Sequence, residues 1–111
     1  MDVDGSVTFG SPARKRSIPG LGTSKRPPIV DESLLDEIIH VGERDTVETC
    51  YKILHSSGLL IGGSTATVLH AIHTKRDCFL PTDIIVAISP DFGDRYLNTI
   101  YDPNWVKERI N

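Results

Sequence analysis

An α/β fold is predicted for this 111-residue chain, and two observations predict it. Residues 84–88 read Ile-Ile-Val-Ala-Ile, a continuous apolar run of the kind found in a strand covered on both faces, as in a parallel sheet. Ahead of it, residues 44–57 and 64–75 carry apolar side chains at helical spacing, with a glycine turn between them. Strand, helix, glycine turn, helix, strand is an α/β order. A chain of this length buries roughly two-thirds of its unfolded surface, enough for one core.

The first stretch, residues 1–9, alternates loosely, with Val3, Val7 and Phe9 set among polar residues and Gly5 interrupting. That pattern suits a short or edge strand. Residues 10–28 are rich in Gly, Pro, Ser, Lys and Arg and show no hydrophobic period, so they read as a long glycine-containing loop. Loops of this length are usually functional or lie against something else. Residues 29–111 form the α/β region. Leu34, Leu35, Ile38, Ile39 and Val41 predict a helical turn and then a buried strand over residues 37–42. In the helix over 44–57, Val47, Cys50, Tyr51 and Leu54 form one stripe, and Gly58 is a natural C-terminal stop. Val68, Leu69 and Ile72 mark one face of the second helix. Residues 83–89 are the strand predicted from the continuous apolar run. The tail, residues 98–111, mixes Tyr101, Trp105 and Val106 with charges and predicts a short helix or a docked end.

Lys plus Arg is 12 and Asp plus Glu is 15, a formal net charge of −3. A general nucleic-acid binder would carry a strongly basic face instead. No apolar run approaches the roughly 18 residues that span a bilayer. No basic stretch followed by an apolar one opens the chain, so the expected location is cytoplasmic. Cys50 and Cys78 are too few and too far apart for a disulfide framework or a metal knuckle, and both are expected as small buried groups. His70 and His73 stand at i, i+3 without a third ligand and read as solvent-facing, as do His40 and His55. Arg14, Lys15 and Arg16 read as part of a solvated loop. Lys25 and Arg26 read the same way, but they flank the glycine loop and are candidates for anchoring a phosphate or carboxylate.

The turn Gly62-Gly63-Ser64 carries the most local chemistry. Its glycines let the backbone take positive φ or approach a ligand closely. Ser64 stands where the helix begins. It reads either as an ordinary N-cap or as a hydroxyl beside free N–H groups that favour an acceptor. Spacing alone leaves both readings open. The turn is neither a Walker loop nor a dinucleotide fingerprint, because the Gly-Lys-Ser/Thr and G-x-G-x-x-G spacings are absent.

Residues 57–65, Ser-Gly-Leu-Leu-Ile-Gly-Gly-Ser-Thr, resemble the EG(I/L)L.GGSSG segment of the cysteine synthase and cystathionine β-synthase family, which are fold-type II pyridoxal-phosphate (PLP) enzymes. Residues 89–99 resemble that family's PDSGERYLST segment, with Asp94 in place of glutamate, and residues 101–105 resemble the tail YDDEW. Residues 18–24, Ile-Pro-Gly-Leu-Gly-Thr-Ser, resemble its GIG loop, in a form similar to the branch that makes siderophore 2,3-diaminopropionate. That branch joins O-phospho-L-serine to L-glutamate, giving N-(2-amino-2-carboxyethyl)-L-glutamate. The likeness covers nearly the whole chain but only the last third or so of such an enzyme.

The resemblance implies the C-terminal portion of a partial three-layer α/β sheet, with PLP as cofactor. It implies that Ser64 hydrogen-bonds the pyridine nitrogen and that Gly63, Thr65, Asp91 and Gly20 border the cofactor. Gly22, Thr23 and Ser24 fall where the substrate passes. A neutral hydroxyl does not hold the ring nitrogen protonated as a carboxylate would, which suits β-elimination and β-replacement. Ala66 replaces the usual glycine and loosens the match at the turn. The family's PLP lysine, substrate-carboxylate loop and phosphate cup have no counterpart here, and Lys15, Lys25, Lys52, Lys75 and Lys107 do not match its lysine motif. The expected partners are therefore an N-terminal part or upstream polypeptide, amino-acid substrates and, when complete, a second copy in a homodimer. This chain alone is expected not to catalyse the reaction. A cysteine synthase fragment and a non-catalytic, partner-binding remnant are the competing readings.

Overall fold

A computed structural model describes residues 1–110. Helix α1 (Glu43–Ser57) forms where the apolar stripe predicts it, burying Val47 and Cys50. It stops at Gly58, which takes a left-handed φ of 68° while its N–H returns to Leu54 O. Helix α2 (Gly63–Thr74) follows after a short extended link. Its N-cap is Gly62, which makes no side-chain capping bond, so Ser64 lies inside the first turn and is not the cap. A last short helix, α3 (Pro103–Arg109), starts with Pro103 at its N-terminus, and Asp102 accepts from Asn104 N at 2.9 Å.

Two strands pair in parallel, β1 (Asp2–Val3) and β2 (His40–Val41), in register Asp2 with His40 and Val3 with Val41. Both are shorter than the expected 1–9 and 37–42. Gly5, at φ 85°, turns the chain straight after β1, and Ser6 N closes that turn on Val3 O at 3.1 Å. A 3-10 turn over Glu32–Leu34, capped by Asp31, precedes β2.

The strand expected over residues 83–89 does not form. Ile84, Val86 and Ile88 are 91%, 84% and 78% exposed, and the segment has no sheet neighbour among the described residues. An apolar run becomes a strand only when another strand satisfies its backbone. Cys78 also departs from expectation and is exposed, whereas Cys50 is fully buried.

The core gathers Val3, Ile18, Leu21, Val47, Cys50, Ile61, Ala66 and Ile100, with Trp105 and Val106 of α3 packed against it. Where α1 crosses α2, the buried hydroxyls of Thr46 and Thr67 lie 2.9 Å apart. Thr67 donates to Gly63 O at 2.8 Å, so its single proton is used and Thr46 is the donor between the two. No helix among the described residues is long and apolar enough to cross a membrane.

Ile100 is fully buried beneath the start of α2. Ile100→Ala is expected to lower stability by about 2–5 kcal/mol, read as a lower urea midpoint at unchanged slope. Leu97→Ala, at a side chain that is exposed, should leave the midpoint almost unmoved.

Candidate functional site

Two backbone segments cross at the entrance to α2. Ile61 pairs antiparallel with Phe92, Gly93 N donates to Leu60 O at 2.9 Å, and Gly62 N donates to Asp91 O at 3.3 Å. The crossing is possible because two of its residues lack a side chain. A Cβ on Gly93 would sit 2.8 Å from Ile61 O, and one on Gly62 would overlap the Asp91 carboxylate. Tyr101 closes the crossing by donating its hydroxyl to Ile61 O at 2.7 Å.

Asp91 therefore lies against Gly62, immediately before α2. Its Oδ2 accepts from the Tyr96 hydroxyl at 2.7 Å, while its buried Oδ1 has no protein partner. Burial, then the hydrogen bond to Asp91, pushes the Tyr96 hydroxyl up to about 12. Asp94 and Arg95 are exposed and form no ion pair with each other among the described residues.

Ser64 is half-buried in the first turn of α2, and its hydroxyl takes part in no hydrogen bond among the described residues. Gly63 is buried next to it, with Ile18 and Ile100 packed over its Cα. Thr65 is turned to the other side and shares a 2.8 Å hydrogen bond with Ser89.

The glycine loop bends through Gly20 and Gly22, both at φ 73°. Gly20 is exposed with open space beside it, whereas Gly22 is pressed against Val3 and Ser6. Thr23 N donates to Ser6 Oγ at 3.1 Å, and Val7 N donates to Thr23 O at 3.0 Å. The Thr23 hydroxyl donates to Lys25 O at 2.7 Å, and Ser24 Oγ accepts from Arg16 at 2.9 Å. Both hydroxyls are thus engaged inside the loop. The loop's base, Ile18, meets Gly63, so the loop, the α2 entrance and the Asp91 segment converge on Gly62 and Gly63.

Glu43 was not legible as a site residue, yet it fixes the loop. Its carboxylate accepts from Ser17 N at 2.7 and 2.9 Å and from Ile18 N at 2.6 Å. In sequence it is only an acidic residue in a first helical turn, and its partners lie 25 and 26 positions away. Arg16 is likewise no solvated cation. It donates to Leu21 O at 3.2 Å and braces the loop from inside. Arg26 pairs with Glu32 at 2.6 Å, both side chains half-exposed. Lys75 is exposed and paired with Glu37, a contact that raises its pKa.

No family model matches the chain. Solved structures do. An O-acetylserine dependent cystathionine beta-synthase from Helicobacter pylori matches at TM-score 0.77 and 23% identity, over 88% of this chain and 32% of its own. An O-ureido-L-serine synthase matches at TM-score 0.81 and 20% identity, over 92% of this chain and 33% of its own. A hydrogen sulfide-producing enzyme from Fusobacterium nucleatum matches at TM-score 0.72 and 27% identity, over 86% and 33%. The chain thus spans about a third of the length of these enzymes. Its α/β fold is that of the C-terminal part of a cystathionine β-synthase-type enzyme.

Two predictions come from this geometry. Glu43→Ala frees the amides of Ser17 and Ile18, and their hydrogen exchange is expected to speed up on the order of tenfold or more, the equivalent of losing a bond to a charged acceptor. Unchanged exchange at both amides would refute the anchoring role. The second concerns alkaline pH. The folded Tyr96 titrates near 12 and the unfolded one near 10. Its contribution to stability is complete below pH 10 and is lost as pH rises towards 12. Tyr96→Phe should make the decline of the urea midpoint across that window shallower, and an identical slope in the two proteins would contradict it.

Proposed function

We propose that this chain forms the C-terminal part of a PLP-dependent β-replacement enzyme acting on an O-substituted serine. One observation carries the reading. Ser64 presents an unengaged hydroxyl in the first turn of α2, inside a fold that superposes on an O-ureido-L-serine synthase at TM-score 0.81. The residues present suit one edge of a flat aromatic cofactor. Ser64 supplies a hydroxyl for the ring nitrogen, and Asp91 Oδ1 is a buried acceptor without a partner. When bound, PLP supplies the electron sink for elimination and replacement at the β-carbon.

The chain's own residues bind and orient. The Ser64 hydroxyl donates to an unprotonated ring nitrogen and keeps the cofactor a mild electron sink. The loop from Gly20 through Gly22, Thr23 and Ser24 walls the substrate side, held to α1 by Glu43. The amine that binds the cofactor comes from a second stretch of polypeptide. Lys75, exposed and ion-paired with a raised pKa, is the opposite of the buried, depressed lysine such a role requires.

For the reaction itself we favour joining O-phospho-L-serine to L-glutamate, on the strength of the Ile-Pro-Gly-Leu-Gly-Thr-Ser form of the loop. The O-acetylserine dependence of the Helicobacter pylori enzyme supports a second reading, in which the pair is O-acetyl-L-serine and sulfide. The test combines the chain with the lysine-bearing polypeptide of the same source and follows cofactor absorbance and product with each substrate pair. Ser64→Ala is expected to lower turnover by roughly tenfold or more, the scale of one lost hydrogen bond of about 1.4 kcal/mol, and to shift the cofactor spectrum. An unaltered spectrum and rate would overturn the role of Ser64. Turnover with sulfide but not glutamate would select the second reading.

A further inference from the structure

Two threonines in the core carry hydroxyls that packing does not need. Thr46 of α1 and Thr67 of α2 are both fully buried. Their Oγ1 atoms lie 2.9 Å apart, and Thr67 Oγ1 donates to Gly63 O at 2.8 Å. Valine has nearly the shape of threonine and would fill either place with no bond to satisfy, whereas a buried hydroxyl costs free energy unless it is bonded. Both bonds lead to one atom, the carbonyl oxygen of the Gly63–Ser64 peptide. In the helical pattern of α2 that oxygen also accepts from Thr67 N, so one residue holds it by two donors. The peptide is planar, and the plane ends on the Cα that carries the Ser64 side chain. Thr46 also reaches this turn by its methyl, 3.9 Å from the place of a Cβ added at Gly63.

We propose that Thr67, backed by Thr46, is a positioning residue for Ser64. Being fully buried, Thr67 reaches no ligand itself and acts through the Gly63–Ser64 peptide. With that peptide braced, the Ser64 hydroxyl, which has no partner of its own among the described residues, keeps one direction. Direction matters because a hydrogen bond weakens steeply once it is bent. The proposal rests on the reading of Ser64 as the partner of the cofactor's ring nitrogen. Thr46 stands three residues after Glu43, which holds the amides of Ser17 and Ile18. One turn of α1 thus sets both the glycine loop and the first turn of α2.

The test is the paired variant Thr46→Val with Thr67→Val, which keeps the shape of the core and leaves neither hydroxyl orphaned. In the chain alone its urea midpoint should stay close to the native one. Exchange of the Ala66 amide, bonded to Gly62 O at 3.1 Å in the same turn, should quicken by about two- to tenfold, the scale of one net hydrogen bond. Thr67→Ser keeps the hydroxyl and should show the native rate. Combined with the lysine-bearing polypeptide of the same source, the paired variant should shift the cofactor absorbance as Ser64→Ala does. Placed in the Ser64→Ala background it should add nothing, because both changes act on one contact. Native exchange at Ala66, no recovery in Thr67→Ser, or a fully additive shift would each overturn the positioning role. A collapsed urea midpoint would mark the hydroxyls as structural and overturn it as well. The two readings fail separately. Quickened exchange at Ala66 with an absorbance indifferent to Ser64→Ala sinks the cofactor role of Ser64 alone. An absorbance that responds to Ser64→Ala but not to the paired variant sinks the positioning role alone.

Discussion

The structure depends on the close passage of two backbones at the mouth of α2. Leu60, Ile61 and Gly62 run against Asp91, Phe92 and Gly93 at hydrogen-bond distance. Peptide groups at such a contact must find partners in each other, because the neighbouring core offers none. The absence of a Cβ at Gly62 and Gly93 is what allows it. Everything that follows in the chain is placed by this contact. It sets where α2 begins, where Asp91 lies and how Ile100 reaches the base of Gly63. Tyr101 then seals it with a hydroxyl bond, and its ring lies 5.7 Å from that of Tyr51 of α1 at a tilt of 56°, so the crossing is also tied to the first helix.

Much of this was legible in the sequence, for local reasons. The stripe of Val47, Cys50, Tyr51 and Leu54 and the stop at Gly58 are determined within a few turns of chain, and α1 forms where they predict. The glycines at 62 and 63 do mark a close approach, but of the chain's own Asp91 and Ile100, and neither takes a positive φ. What was not legible depends on distant partners. Glu43 gains its role only when Ser17 and Ile18 fold back onto the end of α1. The run at 84–88 has every local mark of a strand, yet a strand is a relation between two segments, and the second is not among the described residues. Ser64 misleads in the opposite sense. Serine before an apolar helical stripe reads as a cap, but Gly62 takes that position and leaves the hydroxyl unused.

The polar groups divide into those that hold the fold and those that have capacity left. Thr46 and Thr67 satisfy each other between the helices, and Thr67 also returns to Gly63 O. Thr23, Ser24 and Arg16 bond within the loop. By contrast, the Ser64 hydroxyl and Asp91 Oδ1 keep unused capacity on either side of the same turn. A buried polar atom without a partner is costly, and Asp91 Oδ1 is one such atom.

The two cysteines carry a practical consequence. Cys50 is fully buried beside Tyr101, and burial pushes its thiol up to about 11, so it stays protonated and shielded at neutral pH. Cys78 is exposed just beyond α2, a few residues ahead of the unpaired segment. Reactivity towards thiol reagents follows thiolate fraction and access. A maleimide dye added to the folded chain therefore marks one position, next to residues 84–88, and needs no engineered cysteine. The native sequence already carries a fluorescent reporter site for that exposed segment.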